Sequence, residues 1–194
     1  MASLPLIQVI VGSTREGRFA DHALAWVRDR LEARPDLKTE VVDLRDFPLP
    51  FFDGPAPAKN VRQYSLPEVA RLGETIDRAD GFLVLTPEYN HGYPAVLKNA
   101  LDWTFAEWSR KPITFVGWGN TGGARAIEQL REVAVEFEMA PLRFAVHVLA
   151  DTIVRCKGSS DPSDPENFSP LDPALDRAVT DLLWWSDALR QARG

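Results

Sequence analysis

The stretch from residue 81 to 103 limits the possible fold more than any other part of the chain. It begins with the apolar run FLVL at residues 82–85, which lacks the polar alternation of a half-exposed strand. Pro94 suits the first position of a helix, because the N–H that proline lacks would be unpaired there. Apolar residues then recur at helical spacing. A buried strand, the polar and aromatic loop PEYNHGY and a helix predict one unit of an α/β sheet, in which ligands lie beyond the carboxyl ends of the strands.

The rest of the chain alternates between strand and helix patterns. We predict five strands that alternate with five helices, and therefore one doubly wound parallel sheet with helices on both faces. The flavodoxin-like strand order 2-1-3-4-5 suits a chain of 194 residues, which we predict to form a single domain, residues 1–194. The predicted strands are residues 6–11, 39–44, 82–85, 113–118 and 142–149.

The first predicted strand is followed by the turn GSTREGR at residues 12–18. Free backbone N–H groups and the dipole of the next helix favour an anion at such a position. Ser13 and Thr14 can donate hydroxyl hydrogen bonds, and Arg15 and Arg18 can add charge-assisted ones. The same turn could instead be a helix cap with solvated arginines. It matches neither the Walker loop nor GxGxxG, which disfavours an NAD-type Rossmann site.

Strand order 2-1-3-4-5 makes strands one and three neighbours, which brings this turn beside the loop at residues 87–93. A glycine-rich turn, GNTGG at residues 119–123, follows strand four and can flank the same crevice, because glycine permits close backbone approach. Arg125 lies in the first turn of the next helix, where it could meet a phosphate of the reductant or be a surface residue. Trp118 precedes the glycine turn and would alter the shape of a pocket there.

Several polar residues near the loop also have structural interpretations. His91 is expected to stabilise the loop by a hydrogen bond rather than act as a base. Lys98 and Asp102 lie four residues apart on a helix and can pair with each other. Asn99 and Trp103 are expected to be structural or interface residues.

The segment PEYNHGYPAVLKNALDW at residues 87–103 resembles the most specific motif of the NADPH-dependent FMN reductase family, which includes azoreductase-like and quinone- or chromate-reducing members. The start of GSTREGR is similar to the GSxR turn of that family. The resemblance implies that this turn holds the FMN phosphate, that the loop at 87–93 lines the flavin ring and that the glycine turn approaches it. The implied cofactor-binding residues are Ser13, Thr14, Arg15, Arg18, Pro87, Glu88, Tyr89, Asn90, Gly119, Gly122 and Gly123.

The resemblance also implies an activity. NADPH or NADH would reduce bound FMN, and a quinone, azo compound, flavin or metal oxyanion would then accept the electrons. The residues show no metal-ligand cluster and no obvious acid–base set, which fits a cofactor that performs the chemistry, and we predict no catalytic side chain. Two alternatives stay open: an FMN-binding electron-transfer protein without reductase activity, and a nonflavin binding protein whose turns hold another phosphate.

Composition limits the possible partners. A formal charge of -6 argues against a general nucleic-acid or anionic-membrane surface. Cys156 is the single cysteine, so no internal disulfide can form, and the start of the chain lacks the pattern of a signal peptide. A cytoplasmic location is expected.

Three further features lie outside these motifs. The proline-rich segment at residues 45–66 is longer than an ordinary connection and is predicted to be a functional or interface loop. Residues 157–170 are predicted to be an exposed or partly ordered loop. Six tryptophans are more than a small core needs, which suggests a homodimer or homotetramer interface, with core or isolated surface positions as the alternative.

Overall fold

The computed structural model describes residues 3–61 and 63–193. Its sheet is parallel throughout, with order β2-β1-β3-β4-β5 and a further short strand, β6, paired with β4. The flavodoxin-like strand order is confirmed. The strands are β1 Leu6–Val11, β2 Lys38–Asp43, β3 Gly81–Pro87, β4 Pro112–Trp118, β5 Ala140–Pro141 and β6 Val146–Val148.

Helices cover both faces of the sheet, as predicted, because β1, β3 and β4 are apolar on both sides. On one face, Val9 and its alternate neighbours pack against the first and last helices. On the other face, Ile10 and Phe82 pack against three helices, which precede β3, follow β3 and follow β4. The helices are α1 Ala20–Glu32, α2 Pro67–Asp77, α3 Ala95–Trp103, α4 Ala124–Glu136, α5 Ala150–Gly158 and α6 Asp172–Arg193.

The prediction of a single fifth strand at residues 142–149 is wrong. Two short strands, β5 and β6, replace it, because side chains bind the backbone carbonyls between them. The Arg131 guanidinium donates to the carbonyls of Leu142 and Arg143, at 3.2 and 2.7 Å, and the Thr114 hydroxyl donates to Phe144 O at 2.6 Å. A sheet of six strands results, where five were predicted.

The segment at residues 157–170 is more ordered than predicted. Its first two residues end α5, and a 3₁₀ helix, Pro165–Leu171, follows. Phe168 is completely buried and stacks on Trp26, with ring centroids 5.0 Å apart. One aromatic anchor therefore fixes a segment whose composition is polar.

The proline-rich segment at residues 45–66 is held to α3 by side chains of that helix. Asn99 donates to Pro50 O and accepts from Phe52 N, and the Trp103 indole also donates to Pro50 O. These contacts agree with the structural role expected for both side chains. A cavity of about 320 Å³ lies beneath the segment.

The tryptophans divide into two groups. Four are buried, which fits the core alternative, whereas Trp184 and Trp185 on α6 are 66% and 41% exposed. An oligomer interface therefore stays a prediction that rests on this exposed pair. Among the described residues, no helix combines the length and apolar character needed to cross a bilayer.

Candidate functional site

The carboxyl ends of β1, β3 and β4 meet at a crevice of about 230 Å³. Residues 12–18, here called the β1 turn, form one side, and residues 87–93, the β3 loop, form another. The two segments touch: the hydroxyls of Ser13 and Tyr89 are 3.1 Å apart, and the Arg15 guanidinium carbon lies 5.7 Å from the centroid of the Tyr89 ring. The neighbouring strands thus bring together two segments that are more than seventy residues apart in the chain.

The β1 turn passes close to β3 at its first residue. The Gly12 N–H donates to Leu85 O at 2.9 Å. A Cβ atom on Gly12 would lie 3.0 Å from that oxygen and 3.1 Å from Leu97 Cδ2, so a larger residue would separate the turn from the sheet. The hydroxyl of Ser13, which is 1% exposed, is thereby fixed at the base of the crevice.

Arg18 supports the β1 turn from beneath. It is 4% exposed, and its guanidinium donates to Ser13 O, to both carboxylate oxygens of Asp43 and to Asp21. Burial opposes its charge, but the bonds to Asp43 and Asp21 outweigh that effect and raise the pKa of Arg18. Burial also opposes the charge of Asp43, yet the bonds from Arg18 and the Arg45 N–H lower the pKa of Asp43. The charge of Arg18 is therefore balanced within the protein.

Arg45 holds the outer side of the same turn, and the sequence patterns did not identify it. Its guanidinium donates to Arg15 O and, at 3.4 Å, to Thr14 O. With Ser13 O bound by Arg18, three successive carbonyls of the turn accept bonds from arginines. Their partial negative charge is balanced, which makes the turn more favourable for an anion.

The β3 loop is a tight two-residue hairpin. Tyr89 and Gly92 exchange backbone hydrogen bonds of 2.8 and 2.9 Å, and the two residues between them have positive φ, 50° at Asn90 and 70° at His91. This is the type I′ pattern, in which asparagine is favoured because it tolerates left-handed backbone. Asn90 and His91 are exposed at the tip, and His91 O accepts from Gln129 Nε2 at 3.0 Å.

Glu88 links the β3 loop to the turn that follows β4. Its carboxylate accepts from the Arg125 guanidinium at 2.6 Å, from the Arg125 N–H at 3.0 Å and from the Thr121 hydroxyl at 3.2 Å. Burial opposes ionisation, but these bonds dominate and lower the pKa of Glu88. Arg125 is therefore an ion-pair partner of Glu88, where the sequence left a phosphate contact and a surface position open.

The glycines of the turn at 119–123 have different roles. Gly119 lines the crevice and has a φ of 150°, and a Cβ atom added to it would lie 3.2 Å from Glu88 Cβ, so glycine is favoured there. At Gly122 a Cβ would meet His147, and at Gly123 it would lie 2.7 Å from the backbone nitrogen of Trp118. Gly122 and Gly123 therefore serve packing between α4 and the sheet and do not line the crevice.

The match to known proteins agrees with this geometry. The family model described as NADPH-dependent FMN reductase matches residues 5–151, which include β1, the β1 turn, the β3 loop and the glycine turn. The chain belongs to the NADPH-dependent FMN reductase family. It is therefore an oxidoreductase that uses FMN and a reduced nicotinamide nucleotide.

Three proteins that this chain is similar to can be compared with it over most of their length. An NAD(P)H-dependent FMN reductase of Schizosaccharomyces pombe is 38% identical over 162 residues, which cover 82% of this chain and 80% of that protein. A 2-hydroxy-1,4-benzoquinone reductase of a Burkholderia species is 37% identical over 144 residues, 69% of this chain and 72% of that protein. FerB of Paracoccus denitrificans, a flavoenzyme NAD(P)H:(acceptor) oxidoreductase, shares the fold, with TM-score 0.69 at 23% identity over 95% of this chain and 98% of its own.

The crevice of this FMN reductase family member contains some of the predicted cofactor-binding residues and not others. Thr14, Asn90, Gly122 and Gly123 do not line it. The predicted residues that do line it are Ser13, Arg15, Arg18, Pro87, Glu88, Tyr89 and Gly119.

Several residues of the crevice wall were not predicted from the sequence, and the effect of Trp118 was left open. The Trp118 ring lies 5.6 Å from that of Phe19, and both line the crevice, so together they limit its width. Ile153 and Lys157 contribute from α5, a helix that was not predicted. Its two buried residues, Thr152 and Cys156, form a pattern that is too short to be recognised in the sequence. Lys98 and Asp102, by contrast, form the expected pair at 2.6 Å.

Proposed function

We propose that this crevice binds FMN, and that the protein transfers electrons from NADPH or NADH to a quinone. The crevice supports this proposal because a buried hydroxyl and an exposed arginine on the β1 turn adjoin an aromatic wall. Such a donor set suits a phosphate joined to a flat ring. Ligand pockets are usually larger, about 300–1000 Å³, so we expect part of the cofactor to extend over the rim.

Each element of the crevice then has a distinct role. Ser13 and Arg15 bind the phosphate, with the backbone N–H groups that precede α1. Pro87 and Tyr89 contact the ring. When it is bound, FMN supplies the hydride chemistry, which explains why no acid–base pair is needed. The side chains hold the flavin in one position and keep one face accessible to the nicotinamide and then to the acceptor.

The choice of a quinone as acceptor is supported by the names of relatives. Besides the Burkholderia benzoquinone reductase, an Arabidopsis thaliana NADPH:quinone oxidoreductase is 33% identical over 142 residues. Azo compounds, free flavins and metal oxyanions are the other acceptors to compare.

The test is FMN binding and quinone-dependent oxidation of NAD(P)H by the purified protein. Arg15→Ala should weaken FMN binding by about 10- to 100-fold, since a hydrogen bond to a charged group contributes about 1.5–3 kcal/mol. Arg28→Ala is the matched control, because Arg28 is an exposed arginine of α1 that pairs with Glu32 at 3.8 Å. A protein that takes up no FMN would refute the proposal, and so would an unchanged FMN affinity in the Arg15 variant. FMN uptake without oxidation of NAD(P)H would favour an electron carrier.

We also propose that the protein assembles as a homodimer or homotetramer through the exposed pair on α6. The rings of Trp184 and Trp185 pack edge to face with centroids 5.2 Å apart, although both are substantially exposed. Exposed tryptophans are enriched at interfaces. Light scattering after gel filtration tests this: a monomeric wild type, or an oligomer unchanged by Trp184→Ser with Trp185→Ser, would refute it.

A further inference from the structure

Helix α5 supplies a cation to the crevice from outside the part of the chain that the family model matches. Lys157 lines the crevice, and Ile153, one helical turn earlier, lines it too. Both lie beyond residue 151, where the family match ends. The helix is held in place through Phe168 and the Arg155 guanidinium, which donates to Asn167 O at 3.0 Å. The position of Lys157 is therefore set by the packing of this particular C-terminal region.

Among the described residues, some charged groups around the crevice have an ion-pair partner and others do not. Arg18 is paired with Asp43 and Asp21, and Glu88 is paired with Arg125. Within residues 3–61 and 63–193, no carboxylate lies within 4.0 Å of the charged groups of Arg15 or Lys157. The crevice therefore presents two unbalanced cations on a chain whose formal charge is -6.

Two such cations on one small crevice favour an anionic ligand over a neutral one. A phosphate monoester carries a charge of about -1.5 to -2 at neutral pH and has three acceptor oxygens, so it can accept from both. Lysine binds phosphate as a point charge on a flexible stem, and the apolar side chain of Ile153 lies on the same face as that stem.

We propose that Lys157 binds a phosphate monoester at the crevice, beside Arg15. This inference rests on the proposed function. Two sources share the chemistry: the phosphate of FMN and the 2′-phosphate of NADPH. Lys157 would in the first case increase the retention of FMN over riboflavin, and in the second case set the preference for NADPH over NADH.

The test compares Lys157→Gln with Lys38→Gln. Lys38 is an exposed lysine at the amino end of β2, whereas the crevice lies at the carboxyl ends of the strands. Its loss changes the net charge equally but removes no group from the crevice. Dissociation constants are measured by fluorescence for FMN and for riboflavin, which lacks the phosphate. KM is measured for NADPH and for NADH with the FMN-loaded protein. Urea unfolding of both variants checks that each is folded.

An FMN contact predicts that Lys157→Gln weakens FMN binding by about 5- to 20-fold, leaves riboflavin binding unchanged and lowers the salt dependence of FMN binding. A contact with the 2′-phosphate predicts instead a similar rise in KM for NADPH but not for NADH. Lys157→Arg should restore either value, because it keeps the charge. FMN and NADPH constants that match those of the Lys38 variant would overturn the inference while leaving the proposed function intact. A wild type that binds neither flavin would overturn both.

Discussion

Replacing Arg18 with methionine separates two roles for this residue, a direct phosphate ligand and a support of the β1 turn. Methionine keeps the apolar stem of the side chain and removes the bonds to Ser13 O, Asp43 and Asp21. The structure predicts that the FMN-free protein loses stability, because these bonds exist without any ligand. FMN binding should weaken as well, since the turn that carries Ser13 loses its support.

The size of the effect follows from the burial of the pair. The side chains of Arg18 and Asp43 are 3% and 20% exposed. Removing one partner of a fully buried ion pair costs about 3–5 kcal/mol, because the remaining charge is left unpaired. Asp43 is partly exposed and also accepts from the Arg45 N–H at 3.0 Å, which reduces that cost. We therefore expect the free energy of unfolding to fall by about 2–3 kcal/mol at pH 7.

Urea unfolding of the FMN-free protein measures this loss. Asp43→Asn and the double variant complete a thermodynamic cycle, in which we expect a coupling of about 1–3 kcal/mol between the two side chains. Arg15→Ala provides the contrast, since it should weaken FMN binding while leaving the FMN-free stability within about 0.5 kcal/mol. If Arg18→Met instead left the stability unchanged and removed only FMN binding, Arg18 would be a direct ligand and the supporting role would be refuted.

Three further predictions concern stability. Burial lowers the pKa of Lys111 from 10.5 to about 8. Between these pH values the unfolded chain binds more protons than the native protein, so native stability rises with pH, by up to about 3 kcal/mol. The urea midpoint of Lys111→Met should lack this rise, and a midpoint that rose with pH in parallel with that of the wild type would contradict the prediction. The pKa of Glu88 is lowered below its ordinary 4.5, so its ionised carboxylate contributes to native stability above pH 4.5, and this contribution is lost as the pH falls. Acid unfolding of Glu88→Gln should therefore be less steep than that of the wild type. Phe168→Ala should cost about 3–5 kcal/mol in urea unfolding, whereas Val154→Ala, at a side chain that is 67% exposed, should cost little.

The strands that form the centre of the sheet could be predicted because their sequence signal is local. β3 is buried along its whole length, and its apolar run is bounded by Gly81 and Pro87, so pattern and structure coincide. Length and element order then favoured one topology, which placed the β1 turn beside the β3 loop. The location of the crevice was thus predictable from local patterns and a rule of topology.

The division of roles among the arginines could not be predicted in the same way. Arg15 and Arg18 occupy one short motif and are equivalent as charged residues. Their difference depends on Asp43 and Arg45, which reach the β1 turn only after β2 has paired with β1. Helix α5 and the segment that carries Phe168 were missed for a related reason, since one buried aromatic residue in a polar segment produces no periodicity.

The strand order also explains how the candidate phosphate site can be formed before any ligand arrives. The β1 turn lies between the ends of two neighbouring strands. On the β2 side it is held by the bond between Arg18 and Asp43, and on the β3 side by the contact between Ser13 and Tyr89. A turn held on both sides loses little conformational entropy when it binds an anion, so more of the interaction energy remains as affinity. We therefore expect FMN affinity to depend on Arg18 and Asp43, which support the turn, as well as on Arg15.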